Sequence, residues 1–392
     1  MVLGFVVLTS VSVVLFFLAL STVFKNSEPQ DGLSLGSTKK PTPATLPILE
    51  DELYKKAEIL WETCLKDTSS GLDEWSRSSK ASGCFASEFP GVFQNLDVES
   101  KISLINHLSK SLPAFANTCH AAEHEVSAKS SSMEEIIKYI NLDDQICLWG
   151  LSHGALVAFA TITSDAEFED MYPTICNKTT SEESLLTCYH GLGHSISTKV
   201  RKTVFDAAPY CEKISEPYKE SCIEAIFMSY SSKEASLGGG TNIPLEPLPQ
   251  DQVSTMCLRF SGLYQKLCWD SLWSFYEQPT SPMDLAKELS AACSYAEPEV
   301  NTAACFRGLG LSLILSKPQV GDTDSTDVFE NYVSFCGSFT PLGESFCIKG
   351  LAEAFTLRWF QEKQDLSTIP DICSLVPPSN KEYCVKGTKE LS

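Results

Sequence analysis

The chain has 392 residues, of which 43% are hydrophobic and 20% are charged, a composition typical of a globular protein with a large core. Its formal net charge is −20 at pH 7. Because proteins bind nucleic acid through basic surfaces, this charge argues against a nucleic-acid partner.

Residues 2–24 contain no charged residue and consist mainly of Val, Leu, Phe and Ala. An apolar run longer than about 18 residues can span a bilayer. We therefore predict a transmembrane anchor over residues 1–24, which makes the membrane a partner of residues 2–24. The alternative is a signal peptide cleaved near Ala19–Ser21, which would release a secreted protein. Residues 25–48 are rich in Ser, Thr, Pro, Gly and Lys and are predicted to form a disordered linker.

Residues 49–118 have the spacing of amphipathic helices, with apolar residues three or four positions apart. Two such stretches begin at Leu53 and at Ile102. We predict that this segment forms a helical cap at the N-terminal end of the repeats that follow.

The sixteen cysteines indicate disulfides made in an oxidising compartment. Twelve of them form six pairs with members 11 or 12 residues apart: Cys176 with Cys188, Cys211 with Cys222, Cys257 with Cys268, Cys293 with Cys305, Cys336 with Cys347, and Cys373 with Cys384. None has the Cys-x-x-Cys spacing of a zinc site. For the other four we predict sequential pairs, Cys64 with Cys84 and Cys119 with Cys147. The body is therefore expected to be extracytoplasmic, lumenal or extracellular, with Asn177 in a glycosylation sequon.

Helix-start signals such as Thr340-Pro341 and Glu297-Pro298 lie between the two cysteines of a pair. Each unit is therefore predicted to be a helical hairpin that a disulfide closes, with the second cysteine early in the second helix. The second cysteines recur every 34 to 46 residues from Cys147 onwards. This period predicts an all-α solenoid of αα-hairpin repeats over residues 119–392. The layout resembles cysteine-rich α/α-repeat proteins, although their Gly-x-Gly-Val turn is absent, and the resemblance implies only an architecture.

Five of the six histidines lie in the His-rich part of the repeats, residues 119–195: His120, His124, His153, His190 and His194. Histidines four residues apart share one helix face and can chelate one metal ion. We therefore predict a transition-metal site, with Zn, Fe or Cu as the ion. Gly191 and Gly193 are expected to leave room for a ligand. The alternatives are a hydrogen-bonded polar cluster without metal and a metal-free pocket.

In every hairpin but the last, the residues one, four and eight positions after the second cysteine are apolar or aromatic and form the predicted core stripe, here called the apolar stripe. The residues two and six positions after the same cysteine lie one turn apart, roughly opposite this stripe. This set, here called the +2/+6 column, contains the histidines, then acids, then bases. The candidates for a carboxylate ligand or general base are Glu123, Glu125, Glu224 and Asp270. The bases Arg307, Lys349 and Lys386 are expected to form a solvated face.

Two functions fit these observations. The first is a membrane-anchored, extracytoplasmic metalloprotein, with a metal-dependent enzyme of hydrolytic or oxidative type as one form of it. The second is a non-enzymatic solenoid scaffold for a protein or glycan partner, with structural or pH-sensing histidines.

Overall fold

The secondary structure is helical throughout the part of the chain that the computed structural model describes. That part comprises residues 47–67, 74–112, 115, 119–142, 147, 149–179, 182–200, 203–230, 250–276, 282–315, 326–363 and 366–389, and none of these ranges contains a strand. The all-α prediction is therefore confirmed for them. The anchor predicted at residues 2–24 lies outside the described residues. Within the described ranges, no helix is both long and apolar enough to cross a bilayer.

The described part of the chain contains the following α-helices. In chain order they are α1 (Pro47–Asp67), α2 (Glu74–Val92), α3 (Val98–Ser111), α4 (Cys119–Ser127), α5 (Met133–Leu142), α6 (Gly150–Ile162), α7 (Asp165–Met171), α8 (Glu182–Val200), α9 (Val204–Ala207), α10 (Lys219–Ser229), α11 (Gln250–Met256), α12 (Gly262–Ser271), α13 (Pro282–Cys293), α14 (Glu299–Leu315), α15 (Thr326–Cys336), α16 (Pro341–Lys363) and α17 (Lys381–Lys389). The first of these helices begins at Pro47. Proline suits the first turn of a helix because its missing N–H would have no partner there.

Eight disulfides join all sixteen cysteines, six in the pairs predicted from the 11- or 12-residue spacing and two in the predicted sequential pairs. The two N-terminal bridges are Cys64 to Cys84 and Cys119 to Cys147. The six short-spaced bridges are Cys176 to Cys188, Cys211 to Cys222, Cys257 to Cys268, Cys293 to Cys305, Cys336 to Cys347, and Cys373 to Cys384. Each hairpin is thus closed internally, which confirms the predicted pairing.

In four of the hairpins, the first of the two helices is shorter than predicted. There the first cysteine lies in a 3₁₀ turn, such as Ala208–Lys213 or Ile372–Leu375, rather than in a long helix. A 3₁₀ turn commonly ends or replaces a helix that is too short to be stable alone. The second cysteine lies in an α-helix in every hairpin of the short-spaced set, as at Cys188, Cys268, Cys305 and Cys347.

The second helices of the hairpins pack side by side in chain order. These helices, here called the B helices, are α6, α8, α10, α12, α14, α16 and α17, and each contacts the next. The helix α4 packs against α6 in the same way. Glycines allow the close approach: a Cβ added to Gly308 would collide with the carbonyl of Asp270, and one added to Gly350 with that of Arg307. The polar residues of consecutive B helices are thereby brought between the helices.

The apolar stripe of the B helices forms the core. Leu151, Leu192, Ile223, Leu309 and Leu351 are all buried in one cluster, which extends from Val98 to Cys384. A second cluster gathers the aromatic side chains of the N-terminal helices, with Trp61, Phe85 and Phe115 in edge contact. Both cores thus lie on the side of each helix that the 3.6-residue period predicts.

Candidate functional site

Three consecutive helices carry the five clustered histidines. His120 and His124 lie one turn apart on α4, His153 is on α6, and His190 and His194 lie one turn apart on α8. Gly154 of α6 is pressed against the carbonyl of His124 so closely that a Cβ would collide with it. The hairpin packing therefore sets the two histidine pairs on either side of His153.

The ring of His153 lies at the centre of this cluster. Its centroid is 5.2 Å from that of His120, 5.1 Å from His190 and 5.2 Å from His194. The rings of His190 and His194 are 5.3 Å apart, so these two and His153 form a nearly equilateral triangle. His124 lies at the edge of the cluster, with its ring 6.4 Å from that of His120. The structure thus brings together all five histidines that the sequence singles out.

Hydrogen bonds define the tautomers of two of these rings. His120 Nδ1 lies 3.0 Å from the carbonyl oxygen of Cys147, which can only accept, so Nδ1 carries the proton. His194 Nδ1 lies 2.7 Å from Ser229 Oγ, and that hydroxyl donates its proton to the Ala225 carbonyl. His194 Nδ1 must therefore be the donor. In both rings the electron pair is then at Nε2, the nitrogen through which this tautomer can bind a metal ion.

Burial lowers the pKa of four of the five histidines. His124, His153 and His194 are buried, whereas His120 and His190 are partly exposed. Burial, together with the neighbouring histidines, lowers the pKa of His124, His190 and His194 to about 3. Burial also lowers the pKa of His153 well below its ordinary value. Neutral imidazole, the form present at physiological pH, is the form that binds metal ions.

One buried nitrogen of the cluster lacks a hydrogen bond. The Nδ1 atom of His124 makes none with the residues that the structure describes. Burying such a group without a partner costs about 1–3 kcal/mol. Apolar side chains at these positions would avoid that cost, so the cluster is an unfavourable way to fill a core unless a ligand offsets it.

The ring spacing fits ligation of a single ion, whereas the nitrogen atoms do not yet point to one. A metal bound at about 2.0–2.1 Å lies about 3.2 Å from an imidazole centroid, so two ligands at a tetrahedral angle have centroids about 5.2 Å apart. The observed 5.1 to 5.3 Å agree with this value. Yet no three His, Cys, Asp or Glu side chains of the described residues are arranged to hold an ion as they stand. Binding would therefore need rotation of the rings without displacement of the helices.

The four candidate carboxylates separate into two groups. Glu123 is fully buried on α4 between the two histidines of that helix, and Glu125 is partly exposed. Asp270 instead forms an ion pair with Arg307, whose guanidinium also contacts Glu353 with Nη2–Oε1 2.6 Å and Nε–Oε2 3.0 Å. Burial, and next the nearby Asp270, raises the pKa of Glu224 to about 8. Glu224 and Asp270 thus belong to an acid–arginine group further along the +2/+6 column.

The expectation that Arg307 lies on a solvated face is wrong. Its side chain is only 20% exposed, and that of its partner Asp270 only 8%. The physical reason is the close approach of the B helices, which turns the +2/+6 column into an interface between helices. Lys349 on the next B helix is also partly buried. Lys386, on the last B helix, follows the expectation, with a side chain that is 57% exposed.

The role expected for Gly191 and Gly193 also needs correction. A Cβ at Gly191 would press against Leu156 and His153, and one at Gly193 would collide with the Cys222 carbonyl of α10. The space beside these glycines is therefore filled by neighbouring helices rather than left for a ligand.

Ser229, the partner of His194, was missed by sequence reasoning. Its only signal is a hydroxyl one turn after Ala225 in a buried helix.

Comparison with known proteins does not assign the chain to a family. The chain matches no protein-family model, no curated protein and no solved structure.

Proposed function

We propose that this chain is a membrane-anchored, extracytoplasmic helical-repeat protein whose histidine cluster binds one transition-metal ion. The hairpins would stack as a solenoid, with residues 2–24 as the anchor. Two observations support this setting. Each B helix packs against the next in chain order. The eight disulfides are typical of an oxidising compartment.

The observation that carries the metal proposal is the triangle of His153, His190 and His194. Its sides of 5.1, 5.2 and 5.3 Å equal the spacing of imidazoles around one ion. His120, 5.2 Å from His153, lies next to this triangle with its electron pair at Nε2. The three triangle histidines are the proposed ligands, and His120 is the proposed fourth.

The all-nitrogen set favours Zn²⁺ or Cu²⁺ over iron, which commonly takes a carboxylate as well. The partial exposure of His120 and His190 makes their side of the cluster the entry path for the ion. If His120 moves away, the fourth position can take water, which is the arrangement of hydrolytic zinc sites. Glu123, which is fully buried on the same helix as His120, is the carboxylate proposed to assist such a reaction.

The second candidate is a scaffold for a protein or glycan, in which the cluster holds no metal. One observation favours it: the donor atoms of the described residues do not converge on one point. In that case the histidines would be a polar filling between α4, α6 and α8.

Elemental analysis separates the two functions. The full chain, purified without a histidine tag and loaded with Zn²⁺ or Cu²⁺, is expected to retain one ion per chain after dialysis. His190→Ala is expected to lose the ion and keep its far-UV circular dichroism. The matched control is His107→Ala, because His107 stacks on Tyr54 and pairs with Glu58 outside the cluster. A wild-type chain that retains no ion, or a His190→Ala chain that retains it fully, would overturn the metal proposal and leave the scaffold.

A further inference from the structure

A surface cleft of about 290 Å³ lies far along the chain from the histidines, where the hairpin of Cys211 meets the hairpin of Cys257. Phe205 of α9 and Phe260 form its aromatic wall, and Arg259, Glu212 and Tyr264 also line it. Its volume is at the lower end of the range for small-molecule sites, which suits a ligand about the size of one ring.

The aromatic wall is held in place by ring contacts. Phe205 and Phe260 stack with their centroids 4.7 Å apart, and the edge of Phe227 packs on Phe260 at 5.2 Å. Phe227 is fully buried in the core. The wall is therefore anchored from within rather than formed by loose surface side chains.

Arg259 stacks on this wall. Its guanidinium carbon lies 3.5 Å from the centroid of the Phe205 ring. Stacking uses the flat face of the guanidinium, while its five N–H donors lie in the plane and point outward from the edge. The contact thus orients the donors without occupying them.

The charge of Arg259 is not matched by a carboxylate. It forms no ion pair within the described part of the chain, although the protein carries a net charge of −20. Glu212 on the cleft wall is paired with Lys219, Nζ to Oε2 3.1 Å. Arg307 shows the contrast, since it contacts two carboxylates. The cleft therefore combines an apolar wall with the charge of Arg259 and with one carboxylate, Glu212, whose own charge is paired with Lys219.

We infer that this cleft binds a small organic carboxylate whose body is an aromatic ring or a similar flat apolar group. The carboxylate would take two parallel hydrogen bonds from the edge of Arg259, the geometry in which arginine recognises carboxylates. The ring would pack against the rims of Phe205 and Phe260, because Phe260 and Arg259 cover the two faces of Phe205. Tyr264 would close the far side of the cleft.

Calorimetric titration of the full chain with benzoate tests the inference, with benzyl alcohol and acetate as probes that lack the charge or the ring. Benzoate is expected to bind at one site and at least tenfold more tightly than either. Arg259→Gln is expected to weaken benzoate about 10- to 100-fold, because a charge-assisted pair of hydrogen bonds is lost. Arg259→Lys is expected to restore only part of the affinity, since lysine has no planar pair of donors.

Lys213→Gln is the matched control. Lys213 also lies over an aromatic ring, that of Tyr172 at 5.3 Å, but it is already paired with Glu169 at 3.1 Å. This variant is expected to bind benzoate like the wild type. Absence of benzoate binding, equal binding of benzyl alcohol, or an unchanged affinity in Arg259→Gln would each overturn the inference. None of these results depends on whether the histidines bind a metal.

Discussion

The ring of His153 lies 5.1 Å from that of His190, although the two residues belong to different disulfide-closed hairpins. The contact exists because α6 and α8 pack directly, with Gly191 of α8 resting on His153 and Leu156. The candidate site therefore depends on the packing of neighbouring B helices, which brings together the histidines of their +2/+6 column.

The first prediction concerns the glycines between the B helices. Gly350→Ala is expected to destabilise the fold by about 1–3 kcal/mol, because the new methyl group would collide with the Arg307 carbonyl. Gly83→Ala is the matched control, since an added Cβ there has no atom within 4 Å. It lies on an exposed face of α2 and is expected to stabilise the chain by about 0.5–1 kcal/mol. Denaturant unfolding of both variants measures the difference, and equal effects would contradict the packing.

A second prediction concerns the buried pair of Arg307. Arg307→Ala leaves Asp270 and Glu353 without their cation and is expected to cost about 3–5 kcal/mol. Lys386→Ala removes an exposed pair with Glu382, which solvent screens, and is expected to have a much smaller effect on stability. The ratio of the two effects, measured by thermal unfolding, tests whether the +2/+6 column is an interface. A small loss of stability in Arg307→Ala would contradict the buried pair and support the solvated face that the sequence predicts.

Much of the fold follows from the cysteine spacing. The pairs 11 or 12 residues apart predict each hairpin, because both members lie close to one turn. The burial of Arg307 could not be predicted in the same way. Helix periodicity places it opposite the apolar stripe, and only the distance between neighbouring helices decides whether that face meets water. The small residues three positions after the second cysteine, Gly308 and Gly350, were the available signal of that distance.

The sequence predicts which histidines lie together, but it does not predict how their rings are arranged. Two pairs of histidines four residues apart, with His153 between them, indicate that five imidazoles share one region. Which ring lies at the centre depends on how far α6 and α8 are offset along their axes. The sequence does not specify this offset. The same holds for Ser229, whose hydroxyl orients His194 from a third helix.

The third prediction is a loss of stability in mild acid for the metal-free chain. The pKa of His124, His190 and His194 is about 3 in the folded state and about 6.5 in an unfolded chain. Between these values the unfolded chain binds more protons, so stability falls as the pH is lowered from about 6.5 towards 3. The slope is up to about 1.4 kcal/mol per pH unit for each histidine. Denaturant unfolding in the presence of a chelator at several pH values measures it.

Protonation of Glu224 changes the stability of the fold in the opposite direction over part of this pH range, so this residue provides the control. Its folded pKa of about 8 exceeds the ordinary value of 4.5, so it stabilises the fold below about pH 4.5 and loses that contribution as the pH rises through 8. In Glu224→Gln this contribution is absent, and the loss of stability between pH 6.5 and 5 is expected to be steeper than in the wild type. A stability that does not change with pH in that variant would contradict the burial of neutral histidines.

The last prediction concerns the compartment in which the chain folds. Asn177 is exposed and begins the sequence Asn177-Lys178-Thr179. Its Oδ1 accepts a hydrogen bond from Tyr189 at 3.2 Å, while the amide nitrogen, the atom to which a glycan is attached, makes no such bond to Tyr189. If the disulfides form in the secretory pathway, the chain expressed there is expected to carry one glycan at this residue. Digestion with an amidase that releases N-glycans should lower the mass of the wild type and leave Asn177→Gln unchanged. A wild-type chain that forms all eight disulfides and carries no glycan would show that the sequon is not used, whereas one with free thiols and no glycan would contradict the extracytoplasmic location.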